Sequence, residues 1–369
     1  MRPASVAVVG ATDRAGSYAC EALRNLQTVG FGGRVWGVNP RRREVLGYEC
    51  VPAVADLPEA VDAVLVAIPA AGVAEAVEQA GARGCGGAVV ISAGFGEVAS
   101  GAGHHRDLLA AAGRHGLAVC GPNSNGIVSP HARVALWGDA LARSEPGAVA
   151  LISQSGNVAV NALATRRGLR LHTVIASGNQ AVLSAGDYLQ HLAVQDGVRT
   201  IALYLEDDGG ARLCDGLAAC AQAAVPVVVL KVGRSAAGGR AAAAHSGALA
   251  GDQRVFRSLI EDAGAIWADD VHDLLELAKT LAAGRLTRAA AGRDRGLAIM
   301  TCSGGDSAQG ADEAQRLGLD PNVWFDNVER VAAYRIGRET VQYVANIYKY
   351  YIAYTLVQDN VAQQLPKQR

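Results

Sequence analysis

The chain has 369 residues, half of them hydrophobic and 19% charged, which suits two or three domains with sizeable cores and excludes a disordered chain. A net charge of −1 argues against nucleic acid or an anionic membrane as the main partner. Seven scattered cysteines, without a C-x-x-C spacing, read as buried thiols in a reducing compartment and offer no zinc site.

The first residues enter a strand at once, without the apolar stretch of a signal peptide, and no apolar run reaches about 18 residues. A cytoplasmic protein is therefore expected. Short β-branched and apolar runs alternate with Ala-rich helical stretches. Strands are predicted over residues 5–9, 34–38, 63–68, 87–91, 118–120, 148–152, 172–176, 200–205, 225–231 and 296–301. Continuous apolar runs of this kind are buried on both faces, as in parallel sheets flanked by helices. The alternation predicts doubly wound α/β domains. Residues 121–129 and 143–147 read as connecting segments, and 282–296 as a linker. Domains are expected over 1–128 and 129–288, with a third unit that starts at 289 and stops at 320. Residues 321–369 form a tail that holds six of the ten tyrosines. Its helical spacing of Val328, Val331, Val341, Val344, Tyr348 and Tyr351 predicts one or two amphipathic helices.

Chemistry concentrates at the predicted strand ends. Gly10-Ala11-Thr12-Asp13-Arg14-Ala15-Gly16-Ser17 follows the first strand, where glycines let backbone N–H groups approach a phosphate. The second strand ends in Asn39-Pro40 with no acid for a ribose hydroxyl, and Arg41, Arg42 and Arg43 follow. That disfavours NAD and favours a nucleotide with an additional phosphate, such as coenzyme A; a plain turn beside a solvated arginine run is the alternative. Gly94-Phe95 and Asn123-Ser124 follow later strands and would line the same crevice, or serve only as turns. Ser153-Gln154-Ser155-Gly156-Asn157 ends a strand and starts a helix, which is either an anion cradle or an ordinary capped helix. Glu206 ends another strand, where a carboxylate could fix the tautomer of a histidine or merely belong to a polar loop. His245 stands among small residues in AAAAHSGALA, uncrowded enough for a nucleophilic imidazole, although a lone histidine is usually structural.

Together GATDRAGS, GVNPRRREVLGY, ISAGFGEV, GPNSNGIVSP, LISQSGNVA, YLED, VVVLKVGRSAAG and AAAAHSGALAG occur in the order seen in NDP-forming acyl-CoA synthetases. From about residue 5 to 319 the chain resembles the CoA-binding and ligase domains of that family, shared with the succinyl-CoA synthetase α subunit. The resemblance implies a Rossmann-like CoA-binding domain, then flavodoxin-like doubly wound units; the helical C-terminal tail rests on its spacing alone and lies outside the resemblance. It implies the reversible conversion of a small carboxylic acid, CoA and ATP (or GTP) to acyl-CoA, NDP and phosphate. His245 falls at the phosphohistidine, and Glu206 at the acid that orients it. Ser153, Ser155, Gly156 and Asn157 fall at the phosphate site. Gly10, Thr12, Arg14, Gly16, Ser17, Asn39, Pro40, Arg42 and Pro69 fall in the CoA site. Gly94, Phe95, Asn123 and Ser124 fall near the pantetheine end and acyl group.

The chain departs from the family pattern in three places. Ser124 stands where succinate-specific α subunits usually carry Cys, which counts against succinate. No stretch after Gly296 has room for an ATP-grasp domain, so the nucleotide and its Mg are expected on a partner, an ATP-grasp β-type subunit, within a hetero- or homo-oligomer. The third flavodoxin-like unit is cut short. A non-catalytic CoA- or acyl-CoA-binding regulatory module is the alternative reading.

Overall fold

A computed structural model describes residues 2–142, 144–210, 212–233 and 253–283. The expected third unit and tail, 289–369, and His245 lie outside the described residues. The described part contains two seven-stranded sheets within one compact unit.

The first sheet is built from β1 (Ser5–Val9), β2 (Arg34–Val38), β3 (Glu44–Val45), β4 (Tyr48–Val51), β5 (Ala63–Val66), β6 (Ala88–Val90) and β7 (Val119–Cys120), in the order β3-β4-β2-β1-β5-β6-β7. All pairs are parallel except the small β3–β4 hairpin. Setting β3 aside, the strands run 3-2-1-4-5-6 in chain order, the doubly wound arrangement of dinucleotide-binding domains. Helices α1 (Tyr18–Thr28), α2 (Ala70–Ala82) and α3 (Ala102–His115) cover it. Every residue of β1, Ser-Val-Ala-Val-Val, is buried, as a central strand between two helical layers requires.

The second sheet comprises β8 (Gly126–Ser129), β9 (Val134–Trp137), β10 (Val149–Ser153), β11 (Leu171–Ala176), β12 (Thr200–Leu205), β13 (Val227–Lys231) and β14 (Ile266–Trp267), in the order β14-β13-β12-β10-β11-β8-β9. Its five parallel strands run 2-1-3-4-5, the flavodoxin-like order. Helices α4 (Gly156–Ala164), α5 (Ala185–Ala193), α6 (Leu213–Gln222), α7 (Gln253–Asp262) and α8 (Val271–Ala283) accompany it. Among the described residues no helix is long and apolar enough to cross a membrane.

Two expectations are corrected. Residues 121–129 are not simply a linker, because β8 pairs antiparallel with β11 and β9 and so extends the second sheet. Both sheets are accordingly mixed at one edge, not wholly parallel. The hairpin also joins the two halves. Asn25 of α1 is buried, donates to the carbonyls of Trp137 (2.8 Å) and Asp139 (2.7 Å), and accepts from the Leu141 N–H (3.2 Å). Apolar side chains of α1, among them Leu23 and Leu26, share one core with Val134 and Leu136 of β9 and with Ile152 and Ile175.

Candidate functional site

In a doubly wound sheet, ligands bind beyond the carboxyl ends of the strands where the strand order reverses. The reversal of the first sheet lies between β1 and β5. Gly10 stands there with φ +88°, and a Cβ on it would lie 2.6 Å from the Ala67 carbonyl oxygen and 2.8 Å from Ile68 Cγ2. Only glycine brings the β1 turn this close to β5. The loop then folds on itself. Thr12 Oγ1 accepts from the Arg14 N–H (3.2 Å), Ser17 Oγ donates to the Arg14 carbonyl (2.8 Å), and Ser17 caps α1. Asn39 leaves the end of β2 and donates from Nδ2 to the Ala11 carbonyl (2.8 Å), while its Oδ1 accepts from the Arg41 N–H (2.8 Å). Arg42 is exposed and reaches Asp13 at 3.4 Å. Pro69, also exposed, is the N-cap residue of α2 and makes no side-chain cap, so that helix end is open to an anion. The structure thus gathers Gly10, Thr12, Arg14, Gly16, Ser17, Asn39, Pro40 and Arg42 around one loop, with Pro69 at the adjacent strand end.

The second sheet reverses between β10 and β12. Ser153 ends β10 and is buried, and its hydroxyl donates to the Ser155 carbonyl (2.7 Å). Ser155 is the N-cap residue of α4 in extended conformation with its side chain unused in capping. The first-turn N–H groups of Gly156, Asn157 and Val158 are those an α-helix leaves without an intrahelical acceptor. A Cβ on Gly156 would lie 2.2 Å from Asn125 Oδ1, so this helix starts flush against the β7–β8 turn. Gln154 ties the end of β10 to the end of β12: its N–H donates to the Tyr204 carbonyl (3.2 Å), and its Oε1 accepts from the N–H groups of Glu206 (2.6 Å) and Asp207 (3.2 Å). The backbone of half-buried Glu206 is thereby held at the end of β12, the strand next to β10. At the end of β13 the buried Lys231 ammonium meets Asp208 at 3.2 Å and lies 5.3 Å from the Phe256 ring centroid.

The two crevices are joined through the β6 and β7 ends. Residues 177–180 follow β11 and lie on the turn of residues 121–123: the Asn179 N–H donates to the Pro122 carbonyl (2.9 Å) and the Ala181 N–H to the Gly121 carbonyl (3.0 Å). The Ser177 N–H donates to the Ser153 carbonyl (2.8 Å). Glu97 accepts from the N–H groups of Gly94 (2.5 Å) and Phe95 (3.2 Å) and from the Asn179 side-chain amide. Burial pushes the Glu97 carboxyl up, but the N–H groups of Gly94, Glu97 and Phe95 and the Asn179 amide together hold it below the usual carboxylate range.

Two expected acyl-site side chains are already committed. Phe95 is fully buried in the core of the first sheet, with an edge-on contact to His104. Ser124 is buried, donates to the Ala176 carbonyl, and accepts from the Gly126 N–H (2.8 Å). Their neighbours Gly94 and Asn123 are only partly buried. The sequence alone assigns no role to Gln154, Glu97, Asn179 and Lys231. One signal existed for Asn179: Ser-Gly-Asn occurs after β10 as 155–157 and again after β11 as 177–179.

The described residues thus form a doubly wound domain of dinucleotide-binding order followed by a flavodoxin-like domain, each with glycine and hydroxyl residues at its strand-order reversal. Residues 4–130 match the family described as CoA binding domain, and residues 146–281 match the succinyl-CoA ligase like flavodoxin domain. The chain is 32% identical over 320 residues to the α subunit of Pyrococcus furiosus acetate–CoA ligase (ADP-forming) II, covering 86% of this chain and 68% of that one. It is 35% identical over 333 residues to Archaeoglobus fulgidus acetate–CoA ligase (ADP-forming) I, covering 89% of this chain and 47% of that protein. It is similar to a dinucleotide-forming acetyl-coenzyme A synthetase 1 from Ca. Korarchaeum cryptofilum, solved with phosphate and ADP, at TM-score 0.78 and 30% identity, covering 86% and 68% of the two chains. The chain belongs to the family of ADP-forming acyl-CoA ligases. It spans about half the length of the first curated relatives it matches, 47% and 46%.

Proposed function

We propose that this chain is the CoA-binding, phosphohistidine-bearing part of an ADP-forming acyl-CoA ligase, which with ATP converts a small carboxylic acid and CoA to acyl-CoA, ADP and phosphate. The observation that carries this reading is the pair of crevices joined at residues 121–123 and 177–181. One is lined by backbone and arginine and suits a phosphorylated nucleotide. The other is a helix start backed by fixed serine and glutamine groups and suits a single phosphate. Neighbouring crevices let one reaction draw on both.

In this reading the neutral imidazole of His245 accepts the γ-phosphoryl group of ATP, with ADP leaving, and passes it to the acid. The sulfur of CoA attacks the acyl phosphate, the C–O bond to phosphate breaks, and the thiol proton leaves to solvent. Ser153, Ser155, Gly156 and Asn157 hold the phosphate, with the N–H groups and dipole of α4 offsetting its charge. Glu206, fixed by Gln154, orients the imidazole. Gly10 to Ser17, Asn39, Pro40, Arg42 and Pro69 hold the nucleotide end of CoA, and Gly94 and Asn123 border its thiol end. An ATP-grasp subunit delivers ATP and its Mg, in the cytoplasm, within a hetero- or homo-oligomer. The domains of this reading are 1–128 and 129–288, with residues 126–128 of the first joining the sheet of the second.

The test is phosphoryl labelling from γ-labelled ATP with an ATP-grasp subunit added, together with calorimetric CoA titration. Wild type is expected to label and to bind CoA, and His245→Asn to bind CoA without labelling. Equal labelling of His245→Asn would overturn the mechanism. CoA binding without acid-dependent acyl-CoA formation would leave a regulatory CoA-binding module instead.

A further inference from the structure

The proposed reaction needs an acyl group held by the first sheet and a phosphate held by the second to come within bonding distance. Chemistry of this kind is sensitive to misplacement of about 1 Å, and nothing assigned so far sets that separation. Side chains at the junction do.

Glu97 lies on the loop after β6. Its Oε1 accepts from the Gly94 N–H (2.5 Å) and the Phe95 N–H (3.2 Å), and its Oε2 accepts from the Phe95 N–H (3.2 Å) and from Asn179 Nδ2. Each of these hydrogen-bond partners is a donor, so the position wants an acceptor at both oxygens. Asn179 belongs to the loop after β11. Its Oδ1 accepts from Asn123 Nδ2 (3.2 Å) and its N–H is held by Pro122. Two residues earlier, Ser177 donates to the Ser153 carbonyl from both its N–H (2.8 Å) and its hydroxyl (3.2 Å). Ser153 in turn binds the Ser155 carbonyl at the start of α4. A continuous path therefore runs from the Gly94–Phe95 backbone through Glu97, Asn179 and Ser177 to the phosphate cradle. The backbone at its centre is tightly seated: a Cβ on Gly178 would lie 2.3 Å from the Pro122 carbonyl oxygen and 2.5 Å from that of Asn123.

We infer that Glu97 is a positioning residue for acyl transfer: with Asn179 it latches the acyl-side loop of the first sheet to the loop that carries the phosphate cradle of the second. The inference rests on the ligase reading but assigns Glu97 no contact with substrate. The latch also has a polarity. Asn179→Asp sets a carboxylate against a carboxylate and breaks it. Adding Glu97→Gln restores it reversed, because the glutamine oxygen accepts from Gly94 and Phe95 while its amide donates to the new aspartate.

The experiment compares wild type, Asn179→Asp, Glu97→Ala and the double variant Glu97→Gln/Asn179→Asp, each with the ATP-grasp subunit. Asn179→Asp and Glu97→Ala are expected to lower kcat for acyl-CoA formation about tenfold or more, with CoA affinity and histidine labelling within about twofold of wild type. The double variant is expected to recover most of the loss. Full activity of Asn179→Asp, or no recovery in the double variant, overturns the latch. Hydrogen exchange separates this from the ligase reading. In the full chain without substrates, Glu97→Ala is expected to speed exchange of the Ser177, Asn179 and Ala181 amides as well as those of Gly94 and Phe95. Unchanged exchange at 177–181 overturns the latch whether or not the wild type proves to be a ligase.

Discussion

The two crevices follow the same topological rule but are built from different materials. At the β1–β5 reversal, close backbone contact shapes the floor, and the side chains around it are exposed: Asp13, Arg14, Arg41, Arg42 and Arg43 project into solvent. At the β10–β12 reversal, polar side chains hold one another and the backbone, with Ser153, Gln154, Ser177 and Gln180 all engaged. A long, flexible, polyanionic ligand needs surface and diffuse positive charge along its length. A small phosphate in transit needs fixed donors whose reorganisation has been paid for during folding. On the proposed reading the first crevice suits capture and the second suits chemistry.

The substitution expected to do most damage is Gly10→Ala. The new Cβ would meet the Ala67 carbonyl at 2.6 Å in a backbone conformation of φ +88°, and both the strain and the contact fall on main chain that cannot step aside. A stability loss of about 1–3 kcal/mol is expected from such strain, with CoA affinity reduced at least about tenfold. Denaturant unfolding and calorimetry read the two effects. At Gly156 the contact would be with a side-chain oxygen, Asn125 Oδ1, which can shift. Gly156→Ala is therefore the milder of the pair in stability. Equal losses at both positions would mean that the first crevice is no more a backbone site than the second.

Gln154→Leu comes next and addresses the second crevice alone. It removes the acceptor of the Glu206 and Asp207 N–H groups, at a cost of about 1–3 kcal/mol where those groups stay shielded from water. Histidine labelling is expected to slow at least about tenfold while the CoA dissociation constant is unchanged. A variant that labelled normally would show that Glu206 needs no fixing, and the case for a preorganised second crevice would fall with it.

The same contrast explains what could be read in the sequence. β1, β2 and β12 carry their own signal, apolar and β-branched runs bounded by turn residues, and their ends coincide with the prediction. The β8–β9 hairpin does not. Each strand has four residues, β8 starts within a Gly- and Asn-rich stretch, and its pairing partner β11 is distant in sequence. Tertiary pairing, not local propensity, makes it a strand. The strand-end turns at the two reversals were legible because glycine and hydroxyl residues at strand ends are local features. Their internal wiring was not, because Glu97 and Asn179 are 82 residues apart, and neither is distinctive by itself. Phe95 illustrates the converse: the family resemblance implies a place near the acyl group, while burial gives its side chain to the core.

Arg42→Ala is the smallest expected effect and the sharpest test of the first crevice as a charge-based capture surface. The arginine is more than half exposed, and its one described ion pair, with equally exposed Asp13, spans 3.4 Å. Such a pair contributes little to folding, so stability should change by less than about 0.5 kcal/mol. Toward CoA the charge should count for more, because the additional phosphate offers a guanidinium a two-point partner. A three- to tenfold loss of affinity is expected, equivalent to roughly 0.7–1.4 kcal/mol, with a shallower salt dependence than wild type. Dephospho-CoA decides whether Arg42 meets that phosphate. Wild type should prefer CoA to dephospho-CoA, and Arg42→Ala should bind the two alike. If the variant keeps the preference, the arginine run is a solvated surface and the nucleotide phosphate is bound by the backbone of the Gly10–Ser17 loop instead.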